Sequence, residues 1–271
     1  MNKQKSITLI GCGWFGFPFA KAMVAAGYQV HANKRDSVEA DNLQQWGIHG
    51  FQLDLADVYT DASLETHLDT DILVINIPPG LRRGENQYLY NLNALKALIG
   101  HRQYQKVVFV STTGVYPSLN QIMTEQDAAV YNDSSDILLQ AEAMFSGFES
   151  SCIVRFAGLV GPKRHPGRFF AGREDVSGGN VAVNLVHLDD CIAAIKCIVE
   201  SESCSDTYNL CASLHPRRDD FYSKACQHLN MPLPQFNGDE QDSKAIDGQL
   251  ICRELGYQYR YDDPIKMLDA C

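Results

Sequence analysis

The chain has 271 residues, of which nine are cysteine, and a formal net charge of −10 at pH 7. This acidic balance argues against a general nucleic-acid-binding protein, and no apolar run approaches the roughly 18 residues that a membrane-spanning helix requires. The cysteines form no Cys-x-x-Cys pair, so we expect reduced thiols and no metal site. The N-terminal residues lack a signal-peptide pattern, and we expect a cytoplasmic location.

The chain opens with an apolar strand, a glycine-rich turn, a helix and a second strand. Strands are predicted over residues 7–10 and 28–33, with a helix over residues 19–26 between them. The first turn has the pattern Gly-x-Gly-x-x-Gly, whose glycines permit a tight turn, backbone approach to a pyrophosphate and close helix packing. The helix N-terminus then faces the phosphates with its N–H groups. The pattern predicts a nicotinamide or flavin dinucleotide in contact with Gly11, Gly13, Trp14, Phe15 and Gly16.

The end of the second strand indicates which dinucleotide is bound. An acidic residue there binds the ribose hydroxyls of NAD, whereas a nearby arginine accommodates the extra phosphate of NADP. Asn33 occupies the expected acid position and is followed by Lys34 and Arg35. Because asparagine does not repel a phosphate and arginine binds one with paired hydrogen bonds, NADP is predicted in preference to NAD. We interpret Asp36 as a loop or helix-cap residue, and a solvated loop is the alternative for the two bases.

Strand and helix patterns alternate along the chain, as a doubly wound parallel sheet requires. Further strands are predicted over residues 51–55, 71–77, 106–110 and 151–156, and helices over residues 85–99 and 136–145. Residues 158–180 are predicted to form a long polar loop of the kind that covers a substrate. The predicted fold class is α/β, a Rossmann-type doubly wound parallel sheet with a small C-terminal substrate-binding lobe. We expect an NAD(P)-binding domain over residues 1–157, and the remaining strands plus the lobe over residues 158–271.

Several motifs, in this order, carry a family resemblance. The glycine turn is followed by STTGVY at residues 111–116, RFAGLVGP at 155–162 and NLVHLDD at 184–190. Together they resemble the extended short-chain dehydrogenase/reductases, the NAD-dependent epimerase/dehydratase group that acts largely on nucleotide sugars. That group more often has Gly-x-x-Gly-x-x-Gly, so the tighter glycine spacing of this chain indicates an atypical branch.

The Tyr-x-x-x-Lys pair of this family is missing. A phenol with an unperturbed pKa of about 10 needs nearby positive charge to exchange a proton near neutrality. Ser134 and Leu138 stand where the tyrosine and lysine belong, and no lysine occurs between Lys106 and Lys163. Tyr131 would need a basic residue at position 135, which is a serine. The usual proton relay is therefore absent from this part of the sequence.

The resemblance leaves three candidate residues. It implies that Asp54 contacts the adenine and that Thr112 holds the substrate oxygen, whereas capping of a turn is the alternative for both. Tyr116 is a candidate substitute phenol, and an aromatic residue lining the pocket is its alternative. Thr112 and Tyr116 are thus the predicted catalytic residues.

A basic cluster lies in the predicted loop. Lys163, Arg164, His165 and Arg168 suit an anionic, phosphate-bearing substrate, and Arg164 and Arg168 are predicted to bind it. A solvated surface loop is the alternative. We expect a small-molecule substrate and neither nucleic acid nor membrane as partner.

Three functions remain open at this stage. The first is an NADP-linked oxidoreductase, epimerase or dehydratase, and the second is a dinucleotide-binding sensor with weak or lost catalysis. The third is a β-hydroxyacid dehydrogenase, which predicts a long all-helical second domain.

Overall fold

The structure, a computed structural model, describes residues 4–57, 63–81 and 87–271. The β-strands are β1 (Ser6–Ile10), β2 (Gln29–Lys34), β3 (Ile48–Gln52), β4 (Ile72–Ile75), β5 (Lys106–Thr112), β6 (Gln121–Met123), β7 (Ser151–Phe156), β8 (Gly158–Val160), β9 (Leu185–His187), β10 (Thr207–Leu210) and β11 (Lys244–Ile246). The α-helices are α1 (Gly16–Ala25), α2 (Ser37–Asp41), α3 (Ser63–Leu68), α4 (Tyr88–Ile99), α5 (Asp133–Phe145), α6 (Leu188–Glu200), α7 (Arg218–His228) and α8 (Leu250–Leu255).

A seven-stranded sheet has the order β10-β7-β5-β4-β1-β2-β3. Its strands pair in parallel from β5 through β4, β1 and β2 to β3. The chain order reverses between β1 and β4, and such a switch point is where open α/β sheets bind ligands, outside the carboxyl ends of the strands. The predicted doubly wound α/β fold is confirmed.

The apolar runs of β1 and β4 explain why they occupy the middle of the sheet. Every residue of Ser6–Ile10 and Ile72–Ile75 is buried. Strands that are covered on both faces have continuous apolar sequences, without the alternation of half-exposed strands.

By their internal contacts, the residues form two compact units, which we describe separately. The first unit comprises the described residues of Met1–Ser111, together with Asn132–Val154 and Ile198–Asp206, and the second comprises Thr112–Tyr131, Arg155–Cys197 and Thr207–Cys271. The division into domains at residue 157 stays a prediction.

Two predicted elements need correction. The third strand spans Ile48–Gln52 and not residues 51–55, because Val30 to Lys34 of β2 pair with this segment. Gly50 weakens the strand pattern in the sequence, because glycine is uncommon inside strands. The strand nevertheless requires a glycine at this position, since a Cβ there would lie 1.9 Å from the carbonyl oxygen of Ala40. The segment 158–180 does not begin as a loop, since β8 pairs with β9.

The helix predicted over residues 85–99 begins at Tyr88 in the described chain, and residues 85 and 86 lie outside it. The second unit contains strands β8, β9 and β11, most of helix α6, and helices α7 and α8, so it is not the long all-helical domain that a β-hydroxyacid dehydrogenase requires. Across residues 4–57, 63–81 and 87–271, no helix has the length and apolar character needed to cross a membrane.

Candidate functional site

The glycine-rich turn connects β1 to α1 and contains two glycines that no other residue could replace. A Cβ on Gly11, whose φ is 103°, would lie 2.0 Å from the carbonyl oxygen of Asn76. A Cβ on Gly16 would lie 2.2 Å from the carbonyl oxygen of Gly11. The first glycine thus allows close approach to the end of β4, and the third allows α1 to pack against the turn.

Gly13 differs from both, because a Cβ there would meet no atom within 4 Å. The backbone beside Gly13 is open, which is what the approach of a pyrophosphate requires. Helix α1 begins three residues later without a side-chain cap, and its first turn contains no acidic residue. Its positive dipole end therefore remains available to an anion, and these residues fit a dinucleotide phosphate.

Two asparagine side chains hold Gly11 in place. Oδ1 of Asn33 accepts a hydrogen bond of 2.7 Å from the Gly11 N–H, and Nδ2 of Asn76 donates one of 3.2 Å to the Gly11 carbonyl. Nδ2 of Asn33 also donates to the carbonyl of Leu53 at 3.0 Å. Asn33 therefore supports the turn with both ends of its buried amide. Sequence reasoning missed Asn76, although a polar residue directly after a buried apolar strand was an available signal.

The two bases after β2 lie in different environments. Nζ of Lys34 is 3.4 Å from the carboxylate of Glu39, whereas Arg35 is exposed and makes no ion pair within the described chain. Oδ1 of Asp36 accepts a hydrogen bond of 2.9 Å from the Glu39 N–H at the start of α2, so its predicted helix-cap role is confirmed. Arg35 is the base left available to a phosphate.

Of the other residues predicted to bind the cofactor, Asp54 and Phe15 have side chains that contact neighbouring residues. Oδ1 of Asp54 accepts a hydrogen bond of 3.0 Å from the Ala56 N–H, so the turn-capping alternative is present in the structure. Phe15 is buried and its ring stacks on Phe19 with centroids 5.6 Å apart, while Trp14 is half-buried. Only the backbone of Phe15 could contact a ligand.

Cys12 lies within the same turn and its side chain is buried. Burial raises the pKa of its thiol to about 11, while the positive charge of nearby Lys34 acts in the opposite direction. The thiol is therefore protonated near neutrality and is unsuited to nucleophilic chemistry.

Thr112 ends β5 and is half-buried. Its Oγ1 accepts a hydrogen bond of 3.2 Å from the Gly114 N–H, which caps the short 3₁₀ helix Thr113–Val115. The capping alternative is thus present, but a hydroxyl that accepts one hydrogen bond keeps its own proton for donation. Thr112 can therefore still donate to a substrate oxygen.

Tyr116 is fully buried, and its hydroxyl takes part in a polar network. The hydroxyl donates to Oδ1 of Asn209 at 2.7 Å and accepts from Nη1 of Arg155 at 2.6 Å. Desolvation raises the pKa of Tyr116 to about 12 even though Arg155 opposes the shift. This geometry supports a packing role, and we do not assign Tyr116 a part in proton transfer.

The start of α5, where the family has its tyrosine and lysine, serves other purposes in this chain. Asn132 caps the helix, and its side chain and that of Ser135 exchange hydrogen bonds with each other's backbone N–H groups. Leu138 is buried in the core. Ser134, at the tyrosine position, is exposed beside this cap, and Leu138, at the lysine position, supplies apolar packing.

A phenol and an ammonium group from distant parts of the sequence reach the turn after Thr112. The hydroxyl of Tyr131 donates to the Gly114 carbonyl at 2.8 Å. Nζ of Lys244 donates to the Thr113 carbonyl at 3.2 Å and to the carbonyl of Tyr116. Sequence reasoning missed Lys244, and no local signal could have identified it.

The basic cluster separates into exposed and internal members. Lys163, Arg164 and Arg168 are exposed. His165 is buried: its Nδ1 accepts from the Gly167 N–H at 3.1 Å, and its Nε2 lies 3.2 Å from Nδ1 of His228. The role of Arg164 and Arg168 in substrate binding stays a prediction. In the described chain, no three His, Cys, Asp or Glu residues are grouped so that they could hold a metal ion.

The chain was compared with protein-family models and with known proteins. No protein-family model matches the chain. Protein YeeZ of Escherichia coli (strain K12) is 35% identical over 275 aligned residues, which cover 97% of this chain and 99% of that protein.

Two solved structures with NAD bound are similar across nearly the whole chain. UDP-glucuronic acid 4-epimerase from Bacillus cereus, in complex with UDP-glucuronic acid and NAD, has a TM-score of 0.78 at 16% identity and covers 98% of this chain and 97% of its own. MoeE5, in complex with UDP-glucose and NAD, has a TM-score of 0.78 at 16% identity and covers 98% of this chain and 96% of its own. At this identity the likeness shows the fold alone, and the fold that the predicted resemblance implies is confirmed.

Proposed function

We propose that this chain, which belongs to the family of Protein YeeZ, binds a nicotinamide dinucleotide and acts on a nucleotide sugar or a small carbonyl or hydroxyl compound. The class of reaction would be that of an oxidoreductase, epimerase or dehydratase. The observation that carries the proposal is the glycine turn, in which Gly11 and Gly16 admit no side chain while the backbone at Gly13 is open. The turn also follows β1, one of the two strands at the switch point of the sheet.

The preferred cofactor in this proposal is NADP, with NAD as the alternative. Asn33 replaces the acid that would repel the 2′-phosphate, and its amide is engaged with the turn. Arg35 is exposed and its guanidinium makes no ion pair within the described chain, so it can bind the phosphate with paired hydrogen bonds. Against this preference, the two structural relatives named above hold NAD.

The substrate in this proposal is anionic. The exposed side chains of Arg164 and Arg168 suit a phosphate-bearing molecule, and the two structural relatives were solved with UDP-glucuronic acid and UDP-glucose. Both sugars carry a diphosphate, which guanidinium groups bind with charge-assisted hydrogen bonds.

The glycine turn and Thr112 have separate roles in the proposed reaction. A nicotinamide, when bound, supplies hydride acceptance and donation. The turn residues bind and orient the phosphates, whereas Thr112 donates its remaining proton to the substrate oxygen and so fixes its position. Orientation of this kind does not by itself move a proton.

Calorimetry with NADPH and NADH tests the proposal. Replacement Gly13→Ala should weaken binding about tenfold or more while leaving the melting temperature unchanged, because the added methyl group points into the space reserved for the pyrophosphate. Gly147→Ala is the matched control, since a Cβ there also meets no atom within 4 Å. Wild-type protein that binds neither dinucleotide, or a Gly13→Ala variant that binds as tightly as wild type, would contradict the proposal.

A dinucleotide-binding sensor is the second candidate function. It is favoured by Ser134, an exposed serine, and Leu138, a core residue, which occupy the usual catalytic positions of α5. Tight NADPH binding without turnover of UDP-glucose, UDP-glucuronic acid or small carbonyl compounds would select it.

A further inference from the structure

Three side chains from two segments of the second unit meet at one short turn, the 3₁₀ helix Thr113–Val115. The peptide between Thr113 and Gly114 is held at both ends, since its N–H donates to Oγ1 of Thr112 and its carbonyl accepts from Nζ of Lys244. The next carbonyl, that of Gly114, accepts from the hydroxyl of Tyr131. A hydroxyl, a phenol and an ammonium group are thus fixed to two consecutive peptides.

The position of Lys244 is set by its strand. Residues Lys244–Ile246 of β11 pair with Gln121–Met123 of β6, and Nδ2 of Asn184 donates to the Lys244 carbonyl at 2.8 Å. Its ammonium group donates to the carbonyls of Thr113 and Tyr116, which leaves one of its three N–H groups for another acceptor. Burial lowers the pKa of Lys244 from its ordinary value, as expected for an ammonium group taken out of water.

Tyr131 is the accessible phenol beside this lysine. Its side chain is 45% exposed, in contrast to the fully buried Tyr116. Nζ of Lys244 lies 6.0 Å from the centroid of the Tyr131 ring, at the outer limit of a cation–π contact. Tyr131 also directly precedes Asn132, the cap of α5, so its backbone is anchored to a helix.

We propose that Tyr131 transfers the proton in this chain, and that Lys244 holds the turn to which Tyr131 is bonded and places a positive charge beside it. Together the two residues take the place of the Tyr-x-x-x-Lys pair that α5 lacks. The inference rests on the proposed function. Thr112 holds the substrate oxygen, Tyr131 is the catalytic residue, and Lys244 is a positioning residue that acts through the turn.

In the oxidising direction, the substrate loses one hydride and one proton. The substrate C–H bond breaks and its electron pair leaves as hydride, which the oxidised nicotinamide dinucleotide accepts. The Tyr131 hydroxyl gives its own proton to water, the substrate O–H bond breaks, its electron pair becomes the second C–O bond, and the substrate proton goes to the Tyr131 oxygen. Because Tyr131 is exposed, water can reach its hydroxyl; reduction of a carbonyl reverses each step.

Kinetics with UDP-glucuronic acid or UDP-glucose as substrate, and NAD⁺ or NADP⁺ as oxidant, test the proposal through the rate of absorbance change of the nicotinamide. Tyr131→Phe should lower kcat by about 100-fold or more, the usual worth of general acid–base catalysis, with little change in KM. Tyr90→Phe, at an exposed position on α4, is the matched control and should leave kcat unchanged.

Lys244→Met should lower kcat in the same way, and Lys244→Arg should restore most of it, because arginine keeps the charge and can donate to both carbonyls. Lys224→Met is the control for loss of a surface lysine, here one paired with Asp220 at 2.8 Å. If Lys244→Met fails to fold, the Tyr131→Phe and Lys244→Arg variants decide the matter.

Calorimetry with NADPH separates this inference from the proposed function. We expect Tyr131→Phe and Lys244→Arg to bind NADPH as wild type does, so a loss of turnover with intact binding supports the inference. Turnover that survives Tyr131→Phe, or a wild-type chain that binds NADPH but turns over neither sugar, overturns the inference and leaves cofactor binding standing. A wild-type chain that binds no dinucleotide overturns both.

Discussion

The side-chain oxygen of Asn33 accepts a hydrogen bond of 2.7 Å from the backbone N–H of Gly11, across 22 positions of sequence. The two residues belong to the end of β2 and to the turn after β1. Asn76, directly after β4, donates to the carbonyl of the same glycine. The peptide groups of Gly11 are therefore tied to both strands that flank β1, which fixes the turn before any ligand arrives.

Asn33→Ala should lower both the free energy of unfolding and the affinity for NADPH. The loss of unfolding free energy should be about 1–3 kcal/mol, because the N–H of Gly11 and the carbonyl of Leu53 both lose a partner. Urea denaturation and calorimetry measure the two effects. Asn93→Ala, which removes an exposed helix side chain, should change neither, and equal effects from the two variants would contradict the bracing role.

Arg35→Ala should weaken the binding of NADPH about tenfold and leave that of NADH unchanged, since only NADPH carries the 2′-phosphate. Lys34→Ala should have a smaller effect, because the ammonium group of Lys34 is already paired with Glu39 at 3.4 Å. Titration calorimetry with both cofactors measures the preference. Equal affinities of the wild-type protein for NADPH and NADH would refute the NADP assignment at once.

The free energy of unfolding of the first unit should decrease as the pH is lowered, because this unit contains a cluster of histidines. Nδ1 of His31 lies 2.9 Å from Nδ1 of His67, and the ring of His49 stacks on that of His31 with centroids 4.9 Å apart. Burial, followed by the neighbouring His49 and His67, lowers the pKa of His31 from 6.5 to about 4. The folded chain thus holds this imidazole neutral, whereas the unfolded chain protonates it below about pH 6.5.

The stabilising contribution of His31 should therefore be complete above about pH 6.5 and be lost as the pH falls towards about 4, in total on the order of 1–3 kcal/mol. Urea denaturation at pH 7.5, 6.0 and 5.0 measures this dependence. His31→Gln should flatten it, whereas His101→Gln, at an exposed position, should leave it as in wild type. A wild-type chain whose stability does not change over this range would rule the mechanism out.

Tyr116→Phe should lower stability without lowering turnover. Removal of the hydroxyl leaves Arg155 and Asn209 with an unmet hydrogen bond in a buried network, at a cost of about 1–3 kcal/mol. Thermal denaturation together with kcat per folded molecule separates the two effects. A large fall in kcat with an unchanged melting temperature would restore the catalytic role predicted from the sequence.

The sequence predicts the glycine turn because the reasons for its residues are local. Gly11 and Gly16 are required by atoms of the same strand-turn-helix unit or of the adjacent strand end. The boundaries of β3 were predicted poorly, since Gly50 weakens the strand pattern and its need for close contact with Ala40 appears only in three dimensions.

The grouping of Thr112, Tyr131 and Lys244 could not be predicted for a different reason. Lys244 reaches the turn only because β11 pairs with β6, two strands of three residues each that are separated by more than a hundred positions. Pairing of such short and distant strands has no signature in the sequence between them. A proton-transfer group assembled from separate segments is therefore invisible to a search for Tyr-x-x-x-Lys.

The burial of Cys12 affects how its thiol reacts with oxidants. Burial raises the pKa of this thiol to about 11, so the protonated form dominates at pH 7.5, whereas peroxides and alkylating agents attack the thiolate. The phosphate-binding turn thus contains a sulfur atom at its centre and yet presents almost no nucleophile to such reagents. Concentrations of peroxide that inactivate thiolate-dependent enzymes should therefore leave Cys12 in its thiol form.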